Sequence, residues 1–163
     1  MNTSIVIMGI GNLLRSDDGV GVHAARELSQ CPPGDACVVD AGTDVLSALP
    51  FLESARRVLL LDAVRGGGEP GSIYQLTEDE ICPNGDSRPA HAFSLLDARR
   101  LLSPGAPWPE IAIMGVEPAD LEYGMELSAP VAAALTRVVA TARQMVSDWS
   151  DADSRKPEAQ VPR

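Results

Sequence analysis

Two aspartates and a histidine, Asp18, Asp62 and His91, each stand where a predicted helix or strand meets a connection. Together they offer two carboxylates and one imidazole, a mixed set that suits a borderline divalent ion such as nickel, zinc or cobalt better than a hard cation. Three protein ligands leave positions open for water or substrate, whereas a structural zinc site closes four. An open, exchangeable metal site is therefore expected. Asp62 is the most telling of the three, because it interrupts Leu59-Leu60-Leu61-Asp62-Ala63-Val64 where a buried strand would stay apolar. Burying a carboxylate costs several kcal/mol unless it is paired, hydrogen-bonded or metal-bound. The plainer reading is a strand-end acid that caps a loop amide. His91 follows Arg88-Pro89-Ala90 and opens a predicted helix, so it lies on a connection. The only other histidine, His23, falls at the edge of a helical apolar face and reads as a packing or surface residue.

Asp18 belongs to a glycine-rich turn, Gly9-Ile10-Gly11-Asn12-Leu13-Leu14-Arg15-Ser16-Asp17-Asp18-Gly19. It has the outline of a nucleotide loop with the wrong charge. The third glycine of a dinucleotide fingerprint is replaced by Leu14, and Asp17 and Asp18 occupy the helix N-terminus that a pyrophosphate would need. Asp40, at the end of the second predicted strand, mimics a ribose-binding acid and keeps a nucleotide-binding oxidoreductase as a minor alternative. A plainer account of the two acids makes one a helix cap and the other a solvated first-turn residue.

The 163 residues, 45% of them hydrophobic, suffice for one domain with a core, assigned to residues 1–149, and the polar tail at 150–163 reads as disordered. A net charge of −10 argues against nucleic acid or an anionic membrane as partner. No apolar run approaches the roughly 20 residues of a membrane span, and no signal peptide is evident, so a cytoplasmic location is expected. Cys31, Cys37 and Cys82 lack metal or redox spacing and read as reduced thiols.

The elements that must position these groups alternate between strand and helix. Strands are predicted at 5–10, 36–39, 57–63, 72–76 and 111–116; helices at 18–29, 44–54 and 91–102. Loops are expected at 66–71 and 83–89. A long helix begins near Pro130, where Val131, Leu135, Val138, Ala142 and Met145 form one stripe and Ser128 and Pro130 suit the first turn. The alternation implies an α/β fold with an open, mostly parallel sheet, 72–76 at its edge, and a crevice above the strand ends that holds Asp18 and Asp62.

Gly9-Ile10-Gly11-Asn12 through Asp17-Asp18-Gly19, Asp40-Ala41-Gly42-Thr43, Leu61-Asp62-Ala63, Gly68-Glu69-Pro70-Gly71, His91-Ala92-Phe93 and Gly115-Val116-Glu117-Pro118 resemble, in order, the blocks of the hydrogenase maturation proteases. These endopeptidases trim the C-terminus of nickel-iron hydrogenase large subunits. The resemblance spans about residues 5 to 146; family members often carry glutamate at the position of Asp18 and a second glycine at that of Ala41. It implies a three-layer α/β/α fold with a mixed five-stranded sheet ordered 2-1-3-5-4, strand 4 antiparallel. It further implies that Asp18, Asp62 and His91 contact nickel carried by the large-subunit precursor, with no tightly bound resident metal.

Hydrolysis of a peptide needs an activated water, a proton for the leaving amine and stabilisation of the oxyanion. No serine or cysteine motif supplies a nucleophile. Asp40 is the candidate base, and ordering the Gly42-Thr43 turn is its equal alternative. A monomer acting on the precursor is expected, and a metal-dependent chaperone that inspects its partner without cutting is the non-enzymatic alternative.

Overall fold

The computed structural model describes residues 5–44, 46–81, 88–89, 105 and 107–155. The apolar runs read from the sequence become strands β1 (Ile5–Ile10), β2 (Cys37–Gly42), β3 (Arg57–Arg65), β4 (Ile73–Thr77) and β5 (Glu110–Val116). Their order is β2-β1-β3-β5-β4, parallel except for β4, which pairs antiparallel with β5. This is the expected mixed sheet, with the alternating strand 73–77 at its edge. β1 and β3 are buried throughout their central residues because both faces of the sheet are covered.

Helices α1 (Val20–Gln30) and α3 (Ala129–Ser154) cover one face, where Val20, Ala24 and Leu28 meet Ile7, Leu59, Leu61, Val131 and Val138. Helix α2 (Leu49–Ser54) covers the other, packing Leu52 near Val6, Met8, Leu60 and Ile113. The two faces follow from handedness. β1 connects through α1 to β2 on one side, and β2 returns through α2 to β3 on the other; right-handed crossovers put those helices on opposite faces. The connections leaving β1 and β3 therefore open at the same end of the sheet.

Several boundaries differ from the sequence reading. α1 begins two residues later than predicted, because Ser16–Gly19 form a 3-10 turn ahead of it. α2 is shorter than the predicted 44–54. A 3-10 turn occupies Leu46–Ala48, and the helix starts at Leu49 with Pro50, which has no N–H to lose, in its first turn. β2 runs on to Gly42 because β1 supplies a parallel partner as far as Ile10. Arg88–Pro89, expected within a loop, pair antiparallel with Arg65 and Val64.

α3 continues through Ser154, past residue 150 where the polar tail was expected to begin. Its last turn is held by tertiary contacts: Arg56 Nη2 lies 2.9 Å from Asp153 Oδ1, and the buried Arg57 donates to the Trp149 carbonyl at 3.2 Å while stacking 5.6 Å from the Trp149 ring. The rest of the expected tail, Cys82 and the predicted helix at 91–102 lie outside the described residues.

Candidate active site

Three glycines let helix and strands approach more closely than any side chain would allow. A Cβ on Gly21 would strike the carbonyl oxygens of Leu61 and Ile10, and one on Gly9 would strike the Gly21 carbonyl. The start of α1 thus sits directly on the ends of β1 and β3. Gly11, at φ +137°, turns the chain there, and a Cβ would strike the Asp18 carbonyl. The 3-10 turn bearing Asp18 consequently packs against β3, whose Leu61 is followed by Asp62.

Asp18 is 3% and Asp62 1% exposed. Asp18 Oδ2 accepts the Asn12 N–H at 3.1 Å, and Asp62 Oδ1 accepts the Ala63 N–H at 2.8 Å. The amide contact expected of a strand-end acid is therefore present at Asp62, where it engages the adjacent residue. Strand pairing sets Asp40 beside Gly9 and Gly9 beside Leu61, so the Asp40 side chain leaves the sheet on the α1 face, opposite to Asp62. There it meets Arg26 Nε at 2.8 Å, with 35% of the side chain exposed. The structure thus brings the Asp18 turn onto the end of β3 and leaves Asp40 across the sheet.

His91 lies outside the described residues. Pro89 is opposite Val64, however, and Val64 is two residues from Asp62. Among the described residues no three His, Cys, Asp or Glu side chains form a metal-sized group.

Asp17 departs from both plain readings of the acid pair. It neither caps α1 nor faces solvent: it is fully buried, and no side-chain cap bond precedes α1. Its Oδ2 accepts the Ala119 N–H at 2.8 Å, the Asp120 N–H at 2.9 Å and the Ser128 hydroxyl at 2.7 Å, while Oδ1 accepts the Ser128 N–H at 2.7 Å. Ser128 is the N-cap residue of α3, as expected, but its hydroxyl goes to Asp17 and not to the helix. The sequence offered no signal for this long-range clamp beyond the second, unexplained acid.

The same network removes the nucleotide alternative. A phosphate cradle needs free N–H groups. Here Gly11 N donates to Gly42 O, Asn12 N to Asp18, Leu14 N to the Asn12 side chain, Arg15 N to Asn12 O, Ser16 N to Gly124 O, Asp17 N to Asp120 O and Asp18 N to Arg15 O. These seven N–H groups of the loop are already engaged by the loop itself and its neighbours.

Glu117 has a role that sequence reasoning missed. Buried at the end of β5, it accepts the Gly66 N–H at 2.6 Å and the Tyr74 hydroxyl at 2.7 Å, fastening the loop that leaves β3. Burial, and next the bond to Glu117, push the Tyr74 hydroxyl above its usual pKa, although the Gly68 N–H opposes this. A glutamate at a strand end before Pro118 was the available hint.

Comparison with known proteins bears on this arrangement. A family model described as hydrogenase maturation protease matches residues 22–145. The hydrogenase expression/formation protein HupD of Rhizobium leguminosarum bv. viciae is 31% identical over 170 residues, covering 97% of this chain and 82% of HupD. The fold is similar to the [NiFe] hydrogenase maturation protease HybD from Thermococcus kodakarensis, with a TM-score of 0.77 and 27% identity over 87% of this chain and 98% of that one. The hydrogenase maturating endopeptidase HybD from E. coli shares the fold at a TM-score of 0.75 and 24% identity, covering 89% of this chain and 93% of that one.

Proposed function

This chain belongs to the hydrogenase maturation protease family, and on that footing we propose that it removes a C-terminal peptide from the nickel-loaded precursor of a nickel-iron hydrogenase large subunit. It is a hydrolase of the endopeptidase class. The observation that carries the reading is the burial of two carboxylates, Asp18 in the turn after β1 and Asp62 within the last pairings of β3, against which that turn packs.

Nickel is part of the substrate in this proposal. Asp18, Asp62 and His91 contact it, which fixes the scissile bond relative to the protein and converts cleavage into a positioned, local reaction. The pairing of Arg88–Pro89 with β3 supports the inclusion of His91. Asp40 is the proposed base for the attacking water: it lies near the end of β2, beside β1 from which the Asp18 turn emerges, and retains an exposed carboxylate, on the face of the sheet opposite to Asp62. The protein works as a cytoplasmic monomer that receives its metal on the precursor. No helix among the described residues is long and apolar enough to cross a membrane.

Incubation with nickel-loaded precursor, followed by intact-mass measurement, is expected to reveal loss of a C-terminal peptide. Asp62→Ala and His91→Ala are expected to lower the rate by at least about 100-fold, the scale of losing a positioning group. A stable, uncleaved complex with the unaltered protein would overturn the protease reading in favour of a chaperone. Wild-type rates in both variants would overturn the proposed nickel contacts.

A further inference from the structure

We propose that Leu14, Tyr123 and Met125 form the surface on which the large-subunit precursor docks; this rests on the function above and adds where that substrate is held. The three side chains are 58%, 89% and 72% exposed, which is unusual for large apolar groups gathered in one place. Their gathering follows from the backbone. Gly124 N donates to Leu14 O at 3.0 Å, Ser16 N donates to Gly124 O at 2.8 Å, and Arg15 forms a parallel bridge with Gly124. Tyr123 and Met125 flank Gly124 and therefore stand alongside Leu14.

The segment that presents them is held firmly. Asp17 grips it at Ala119, Asp120 and Ser128, the Ser16 hydroxyl donates to Glu122 O at 3.1 Å, and Arg15 Nε donates to Leu121 O at 3.2 Å. Ser16 adopts φ +47°, a conformation a non-glycine residue holds only where its surroundings enforce it. A surface ordered in advance binds without a further ordering cost, which distinguishes it from an exposed loop that merely lacks cover.

Two observations select the occupant. The patch is continuous with the proposed nickel contact: Leu14 N donates to the Asn12 side chain at 2.9 Å, and Asn12 N donates to Asp18 Oδ2 at 3.1 Å. A precursor whose metal reaches Asp18 therefore lies near Leu14. The patch is also rimmed by exposed acids, Asp120, Glu122 and Glu126, which outnumber its one exposed base, Arg15. Its complement is an apolar protein surface flanked by lysine or arginine.

The test is the affinity of full-length protein for nickel-loaded precursor, measured by calorimetry or surface-based kinetics, with cleavage followed separately by mass. The triple variant Leu14→Ser/Tyr123→Ser/Met125→Ser is expected to raise Kd at least tenfold with an unchanged unfolding midpoint. The double variant Glu122→Lys/Glu126→Lys is expected to raise Kd as well and to flatten its dependence on salt. Unchanged affinity in the triple variant overturns the docking surface, and if peptide is still released the protease reading survives it. Absence of any binding by the unaltered protein, or concentration-dependent dimerisation that the triple variant abolishes, also overturns it.

Discussion

Adjacent aspartates at positions 17 and 18 have separate tasks because a 3-10 turn directs successive side chains apart. Asp17 is a structural anchor between the first connection and the start of α3, accepting bonds from three backbone N–H groups and one hydroxyl. Asp17→Asn turns an amide donor toward those donors, and bonds to a charged acceptor contribute more than neutral ones. A loss of about 3 kcal/mol in urea unfolding is expected. Asp40 is the contrary case. Its ion pair with Arg26 is exposed, 57% and 35% at the two side chains, so Asp40→Asn should cost less than about 1 kcal/mol. Loss of cleavage in that stable variant would support the base; full cleavage would assign Asp40 to ordering the Gly42-Thr43 turn.

At the level of elements, the site depends on how closely α1 lies on the sheet. Gly21 is the closest point, facing the carbonyls of Leu61 and Ile10, and a methyl group there has only backbone to push against. Gly21→Ala is expected to destabilise by about 2 kcal/mol, in the range for overpacking a filled contact, and to lower cleavage by displacing Asp18 from the β3 end. Thermal unfolding and the cleavage rate check the two parts separately. Substitution at Gly34, where an added Cβ would meet nothing within 4 Å but φ is +55°, provides a comparison in which only backbone strain acts.

For the whole molecule, stability should fall on the acid side through His23. This half-buried imidazole has a buried Nε2 with no hydrogen-bond partner among the described residues, and burial, reinforced by Arg26, lowers its pKa below the usual 6.5. The unfolded chain therefore takes up a proton before the folded one. The His23 contribution is complete above about pH 6.5 and is lost as pH falls from there through the lower folded-state pKa. His23→Gln should flatten the unfolding free energy across that interval. An unchanged slope would mean that other groups govern it.

The strands, their alternation with helices and the edge position of 73–77 were legible in the order of residues alone, because buried and half-buried strands impose apolar patterns that neighbours in sequence reveal. So were the positions of Asp62, a carboxylate at the end of an apolar run, and of Asp18, an acid in a glycine-rich turn at a helix start. Where helices began and ended could be read only within a few residues: Pro50 marked the start of α2, but nothing in the polar residues after 149 announced that Arg56 and Arg57 would hold the last turn of α3. It took the folded chain to establish that Asp17 binds a segment more than a hundred residues away, that Glu117 fastens the loop after β3, and that the backbone of Leu14 pairs with that of Gly124. These are contacts between distant segments. Their partners share no local period, so they exist only once the sheet has brought the ends of β1, β3 and β5 together.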